Sequence, residues 1–170
     1  SYISFLGFND YKPKYSYSKF MPFFRLKIRV KKEIVTLRTK IADPENITGK
    51  KIQPEEWNNI ILDNKTILID VRNDFEVEMG TFKGSLNPNT KNFSEFKSYL
   101  KNNLETAKKR KIAMFCTGGI RCEKISSYMI KKGFKDVNQL DGGVLNYFKK
   151  IPKRDSLWDG ECFVFDNRVS

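Results

Sequence analysis

A strand-type run, a cysteine, two glycines and a helical run follow one another without a break over residues 111–130, and few folds accommodate that order. Lys111-Ile112-Ala113-Met114-Phe115 is a short apolar segment of strand character, and residues 122–130 place Ile125, Tyr128 and Met129 at helical spacing. Cys116 therefore falls where a strand turns into a helix. The loop Thr117-Gly118-Gly119-Ile120-Arg121 is short and glycine-bearing, so its backbone N–H groups and those of the helix N-terminus face inward and favour an anion. Phosphate, a persulfide or the Cys116 thiolate itself would suit such a cradle. Helix N-termini and nearby cations lower a thiol's pKa, and Arg121 is the nearest cation in sequence.

The remaining pattern alternates strands and helices. Residues 66–69 read as a buried strand ending at Asp70, and residues 137–140 as another. Pro54-Glu55-Glu56-Trp57 opens a helix, with proline in the first turn and acids near the positive end of the dipole. Residues 93–104 put Phe93, Phe96, Leu100 and Leu104 on one helical face, and Gly133 is placed to cap the helix that follows the cysteine loop. This order predicts an α/β fold: a parallel sheet with helices on both faces and active loops at the carboxyl ends of the strands. Near the N-terminus, Leu26, Ile28 and Val30 alternate with Lys27, Arg29 and Lys31, the period of a half-buried strand with one cationic face.

Composition removes several chemistries. The chain has no histidine, so neither a Ser-His-Asp nor a Cys-His pair can form within it, and no histidine-based metal site. Three scattered cysteines suit free thiols rather than a disulfide scaffold, and without a close Cys-x-x-Cys pair no structural zinc is expected. Cys162 lies in an apolar, strand-like run with Phe163, Val164 and Phe165 and reads as a small buried hydrophobe; Cys122 reads as a packing or capping residue. No apolar run reaches membrane-spanning length, and the start Ser1-Tyr2-Ile3-Ser4-Phe5 lacks the features of a signal peptide. A cytoplasmic location is the expectation. The net charge of +12 is uneven: residues 1–52 hold 12 Lys/Arg against 4 Asp/Glu, leaving 20 against 16 in the rest. That basic third also carries nine aromatics from Tyr2 to Phe24, an interleaving that suits single-stranded RNA as well as it suits a solvated lysine-rich surface.

The pattern C-x-x-G-x-R at 116–121 resembles the active-site loop of rhodaneses. So do Ile69-Asp70-Val71-Arg72 with Glu76 and the stretch from Gly80 to Pro88, and so does Asp141-Gly142-Gly143. Longer blocks narrow the resemblance: C-T-G-G-I-R-C-E-K at 116–124, W-D-G-E-C-F-V-F-D-N-R-V at 158–169 and F-R-L-K-I-R-V-K-K-E-I-V-T at 24–36. These are similar to the rhodanese-containing tRNA uridine(34) hydroxylases, which make 5-hydroxyuridine with molecular oxygen. The resemblance implies a cytoplasmic, tRNA-modifying oxidoreductase with Cys116 catalytic and residues 117–121 as the anion cradle. It also implies oxygen as co-substrate without a further cofactor, and the tRNA anticodon region as partner, with Arg25, Lys27, Arg29 and Lys31 as candidate tRNA-binding residues. Asp70 and Arg72 are read as a buried ion pair or loop clamp supporting the site. The family's organisation implies part of a small ferredoxin-like α+β domain over residues 1–40, a linker at 41–52, the rhodanese domain at 53–152 and an extension at 153–170. Members often carry further cysteines beyond the last residue here, so the chain is expected to be a piece of a longer protein.

Thr81 departs from ordinary rhodaneses, which often have histidine after this glycine. A sulfurtransferase, taking thiosulfate or a persulfide and carrying sulfur on Cys116, fits the same loop. A Cys-based phosphatase fits less well, because those enzymes place arginine six positions after the cysteine and here it is five. A scaffold that merely binds is disfavoured by the presence of Cys116.

Overall fold

The computed structural model describes residues 2–7, 9, 17–25 and 29–165. Its elements in chain order are α1 (Tyr2–Phe5), β1 (Lys50–Ile52), α2 (Pro54–Ile61), β2 (Ile67–Asp70), α3 (Asp74–Met79), β3 (Gly80–Phe82), α4 (Phe96–Asn103), β4 (Lys111–Phe115), α5 (Ile120–Lys131), β5 (Asp136–Leu140), α6 (Gly143–Lys150) and β6 (Trp158–Gly160). Four strands form one parallel sheet in the order β1-β5-β4-β2. The short strands β3 and β6 pair antiparallel beside it.

Period-two alternation sorts each strand's side chains onto two cores. Ile112 and Met114 of β4, with Ile69 of β2, pack beneath α4 and α5 against Phe96, Leu100, Ile125 and Met129. Ala113 and Phe115, with Leu68, pack on the opposite face against Trp57, Val144 and Tyr147 of α2 and α6. Burial on both faces is why β4 reads as a continuous apolar run, and each such side chain contributes about 1.5–3 kcal/mol. The second core is aromatic, with Phe82 edge-on to Phe115, Tyr147 and Trp158 at centroid distances of 4.8, 4.8 and 5.1 Å.

Helix ends follow their signals. Gly133, at φ +94°, terminates α5 while Phe134 donates back to the Met129 carbonyl at 3.1 Å. The helix expected over 93–104 begins as a 3₁₀ turn at Phe93–Glu95 and continues as α4, with Phe93, Phe96, Leu100 and Leu104 buried as the spacing predicts.

Three expectations differ from what is observed. Residues 50–52, placed in the linker, form the edge strand β1: only Ile52 turns inward, and three residues with two exposed lysines are too few to show a period. Leu26, Lys27 and Ile28 of the expected cationic strand lie outside the described residues, while Arg29 and Val30 sit in irregular backbone with Val30 fully exposed. The ferredoxin-like part expected of residues 1–40 falls in large part outside the described residues. The run around Cys162 is irregular too: β6 ends at Gly160, and Cys162 is buried by packing against the aromatic core rather than by sheet pairing.

The segment before β1 is strapped onto α5 by specific contacts. Leu37 is completely buried in the α4/α5 core. Lys124 joins the Glu33 carboxylate at 2.7 Å and the Val35 carbonyl at 3.0 Å, and the backbone N–H of Asp43 and of Gly49 reach the hydroxyls of Ser127 and Ser126 at 2.8 and 2.9 Å. The Lys124 contacts bring Glu33 and Val35 to the first turns of α5, beside the carboxyl edge of the sheet. No helix among the described residues is long and apolar enough to cross a membrane.

Candidate active site

Cys116 follows the last residue of β4, and its carbonyl and that of Thr117 accept hydrogen bonds from Val144 and Leu145 of α6 at 3.0 and 3.1 Å. Gly143 makes this docking possible. It holds φ +70°, and a Cβ there would stand 2.4 Å from the Cys116 carbonyl oxygen. The Asp141-Gly142-Gly143 motif thus serves the cysteine loop from the neighbouring strand end.

Within the loop, Gly119 at φ +92° starts α5 and donates its N–H to the Cys116 sulfur at 3.1 Å. The Cys122 thiol beside it, the Arg121 charge, and the N–H groups of Cys122 and Gly119 together outweigh burial and bring the Cys116 thiol down to about 6 from its usual value near 9. Cys116 is thus chiefly a thiolate at neutral pH. The other two thiols move the opposite way: burial, then the neighbouring Cys116, push Cys122 well up, and burial takes Cys162 to about 11. Of the three thiols, only that of Cys116 is shifted toward the thiolate. Gly118 has open space where a Cβ would stand, so close approach does not demand glycine there.

Arg121 is not free. Its two terminal nitrogens bind the carboxylate of Glu76 at 2.6 and 2.8 Å, and Thr117 Oγ1 donates to the same carboxylate at 3.2 Å. Glu76 also accepts the Asn73 N–H at 3.1 Å and is completely buried. Arg121 therefore acts on Cys116 through its charge and by holding the loop, with both terminal nitrogens engaged by Glu76. Glu76 is the residue whose role the sequence leaves hidden: it stands 45 positions from Arg121, and no local pattern joins them.

Asp70 and Arg72 form a fully buried pair, with Arg72 Nη2 2.5 Å from Asp70 Oδ2 and from the Gly80 carbonyl. Asp70 also accepts from Arg72 Nε and from the Thr81 hydroxyl at 2.9 and 2.7 Å, so Thr81, the departure from ordinary rhodaneses, is a direct partner of the carboxylate. The Arg72 guanidinium lies 4.8 Å from the Trp158 ring, and its Nη1 has no hydrogen-bond partner. This pair clamps β2 to β3 and takes no part in the cysteine cradle.

A cleft of about 870 Å³ opens above the cysteine. Cys116 and Arg121 sit at its base, Lys31, Arg38 and Phe23 come from the N-terminal segment, and Phe165 comes from the C-terminal one. Of the candidate tRNA-binding residues, Lys31 lines this cleft, Arg25 and Arg29 are exposed, and Lys27 lies outside the described residues. Among the described residues no cluster of acids and cysteines is arranged to hold a metal ion.

Residues 53–150 match the model of the rhodanese-like domain family. Among solved structures, the chain is similar to the rhodanese-like domain of an Anabaena sp. protein, at 17% identity and TM-score 0.52 over 65% of this chain and 79% of that one. It is also similar to a Rhodopseudomonas palustris protein described as a possible tyrosine phosphatase, at 15% identity and TM-score 0.50 over 59% and 80%. At such identities these likenesses speak to the fold alone. With a family match over more than half of its length and a cysteine loop built on the carboxyl edge of a parallel sheet, the chain belongs to the rhodanese-like domain family.

Proposed function

We propose that this protein hydroxylates C5 of a uridine in tRNA, the wobble uridine(34), with molecular oxygen as co-substrate and Cys116 as nucleophile. The single observation that carries the reading is the size and character of the cleft over a thiolate. About 870 Å³ walled by exposed aromatic and cationic side chains suits a splayed nucleotide, whereas carrying one sulfur atom needs only the loop. The resemblance of residues 24–36, 116–124 and 158–169 to the hydroxylases supports the same reading.

In this reaction the Cys116 thiolate adds to C6 of the uracil, and the C5–C6 π electrons move to C5 and O4 as an enolate. C5 then bonds to oxygen, and protonation gives a C5 hydroperoxide. Loss of the C5 proton and departure of the Cys116 thiolate from C6 restore the ring double bond. A thiol reductant completes the balance: two thiols convert the hydroperoxide to the 5-hydroxyl and water and leave as a disulfide. The Arg121–Glu76 pair keeps the loop in the shape that holds the thiolate both before addition and after departure.

Mass spectrometry of nucleosides from tRNA incubated in air with thiol reductant tests the proposal. The expected product is 5-hydroxyuridine with the native protein and none with Cys116→Ser; cysteine-independent product would overturn the thiolate route. The second reading, a sulfurtransferase, rests on the Gly119 N–H aimed at the sulfur, which serves a persulfide equally well. Sustained thiocyanate production from thiosulfate and cyanide, without oxidised uridine, would select it.

A further inference from the structure

The cysteine loop can hold an anion, but nothing in it selects a planar ring. Part of the apolar surface next to it comes from the segment after β6, facing Phe23, Ile34 and Val35 of the N-terminal segment across the cleft. Cys162 is buried there, and beyond it a ladder of rings leads out to the cleft. Phe163 stands edge-on to Phe75 of α3 at 5.1 Å and 86°, and Phe165 stands edge-on to Phe163 at 4.9 Å and 87°. The Arg121 guanidinium lies 5.8 Å from the centre of the Phe165 ring. Phe165 is thus held by a ring and a cation that is itself fixed by Glu76, yet it remains 63% exposed and lines the same cleft as Cys116.

A phenylalanine set in place by neighbours but left open on the cleft side retains an unburied apolar area, a cost that an incoming ring would remove. The cleft also presents Lys31 and Arg38, cations suited to the phosphates of the chain that carries such a ring. A small inorganic sulfur donor needs neither feature.

We infer that Phe165 is the stacking subsite for the pyrimidine ring presented to Cys116. This rests on the uridine reading above. The base lies against the open part of Phe165, while the contacts of Phe163 and Arg121 keep the platform from turning away. Base–aromatic stacking of this kind is sequence-tolerant, so Phe165 supplies affinity and orientation for a flat base, and Cys116 supplies the discrimination by reaction at C6.

The test compares the native chain with Phe165→Ala and Phe165→Trp. Steady-state 5-hydroxyuridine formation from tRNA is expected to show KM raised roughly tenfold or more by alanine and held within about threefold by tryptophan. The rate of Cys116 alkylation by iodoacetamide should be the same in all three, which separates a lost subsite from a disturbed loop. An unchanged KM in Phe165→Ala overturns the inference, as does a tryptophan variant as impaired as the alanine one. Phe165→Trp gives a second readout independent of turnover: an anticodon stem-loop RNA with an unpaired uridine should quench its indole emission beyond the change seen in the native chain. Quenching without hydroxylation leaves the subsite standing and removes the proposed reaction. Absence of both the excess quenching and any effect of alanine on RNA affinity removes the subsite.

Discussion

The site is assembled from two regions built on opposite principles. The loop at residues 116–121 has Cys116, Thr117 and Gly119 buried, is tied at both ends to sheet and helix, and has its charges paired: Glu76 and Arg121 with each other, Asp70 with Arg72 beneath. The flanking segments, residues 17–25, 29–49 and 161–165, are largely irregular and hold most of their aromatics and cations outward, with Phe23 and Phe165 both more than half exposed. The first region holds a sulfur shifted toward the thiolate. The second surrounds it with surface that chemistry at sulfur alone does not require. A fold of this family can therefore keep one reaction centre and change its substrate by changing what is strapped around it.

Substitutions that separate the two regions rank by the size of their effect. Cys116→Ser removes the nucleophile and should abolish both 5-hydroxyuridine formation and fast alkylation, while protein fold measured by circular dichroism stays intact. In the native protein the alkylation rate should rise with pH around a midpoint near 6, rather than near 9. Linkage gives the same thiol a stability signature. Between those values the folded state binds fewer protons than the unfolded state, so the Cys116 contribution is present above about 9 and is lost as pH falls through about 6. Urea midpoints followed across that window should lose this slope in Cys116→Ser.

Breaking a buried pair in the first region comes next. Asp70→Ala leaves Arg72 charged with no carboxylate in a fully buried position and should cost about 3–5 kcal/mol in urea unfolding. A loss under 1 kcal/mol would mean that Trp158 and the Gly80 carbonyl suffice to hold the guanidinium. Gly143→Ala forces both a left-handed φ and a Cβ into the Cys116 carbonyl, for a loss of roughly 1–3 kcal/mol and an alkylation midpoint shifted upward as the loop moves off α6. The smallest effect belongs to the second region. Lys31→Ala should leave stability within about 0.5 kcal/mol, yet weaken tRNA binding and lower the salt slope by about one contact. An unchanged salt slope would return Lys31 to an ordinary solvated lysine.

How far each feature is legible in the sequence depends on how local its cause is. The strand at 111–115, the helix after the loop and its Gly133 terminus depend on periodicity and on one backbone conformation, and each is found where the residues point. The edge strand β1 escapes because three residues with one buried side chain carry no period. The pairing of Glu76 with Arg121 escapes for a different reason: an ion pair across 45 positions leaves no trace in spacing. Phe165 reads as part of an apolar run around Cys162, and only the ring ladder separates the buried member from the exposed one.

By itself the sequence determined that a cysteine would stand at a strand-to-helix turn with N–H groups around it, because strand period, glycine conformation and helix polarity are properties of neighbouring residues. Only the tertiary structure decided that Arg121 would be occupied by Glu76 and that Phe165 would face the cleft. Those outcomes depend on burial and on contacts between distant segments, where desolvation and pairing set the energy and chain order does not.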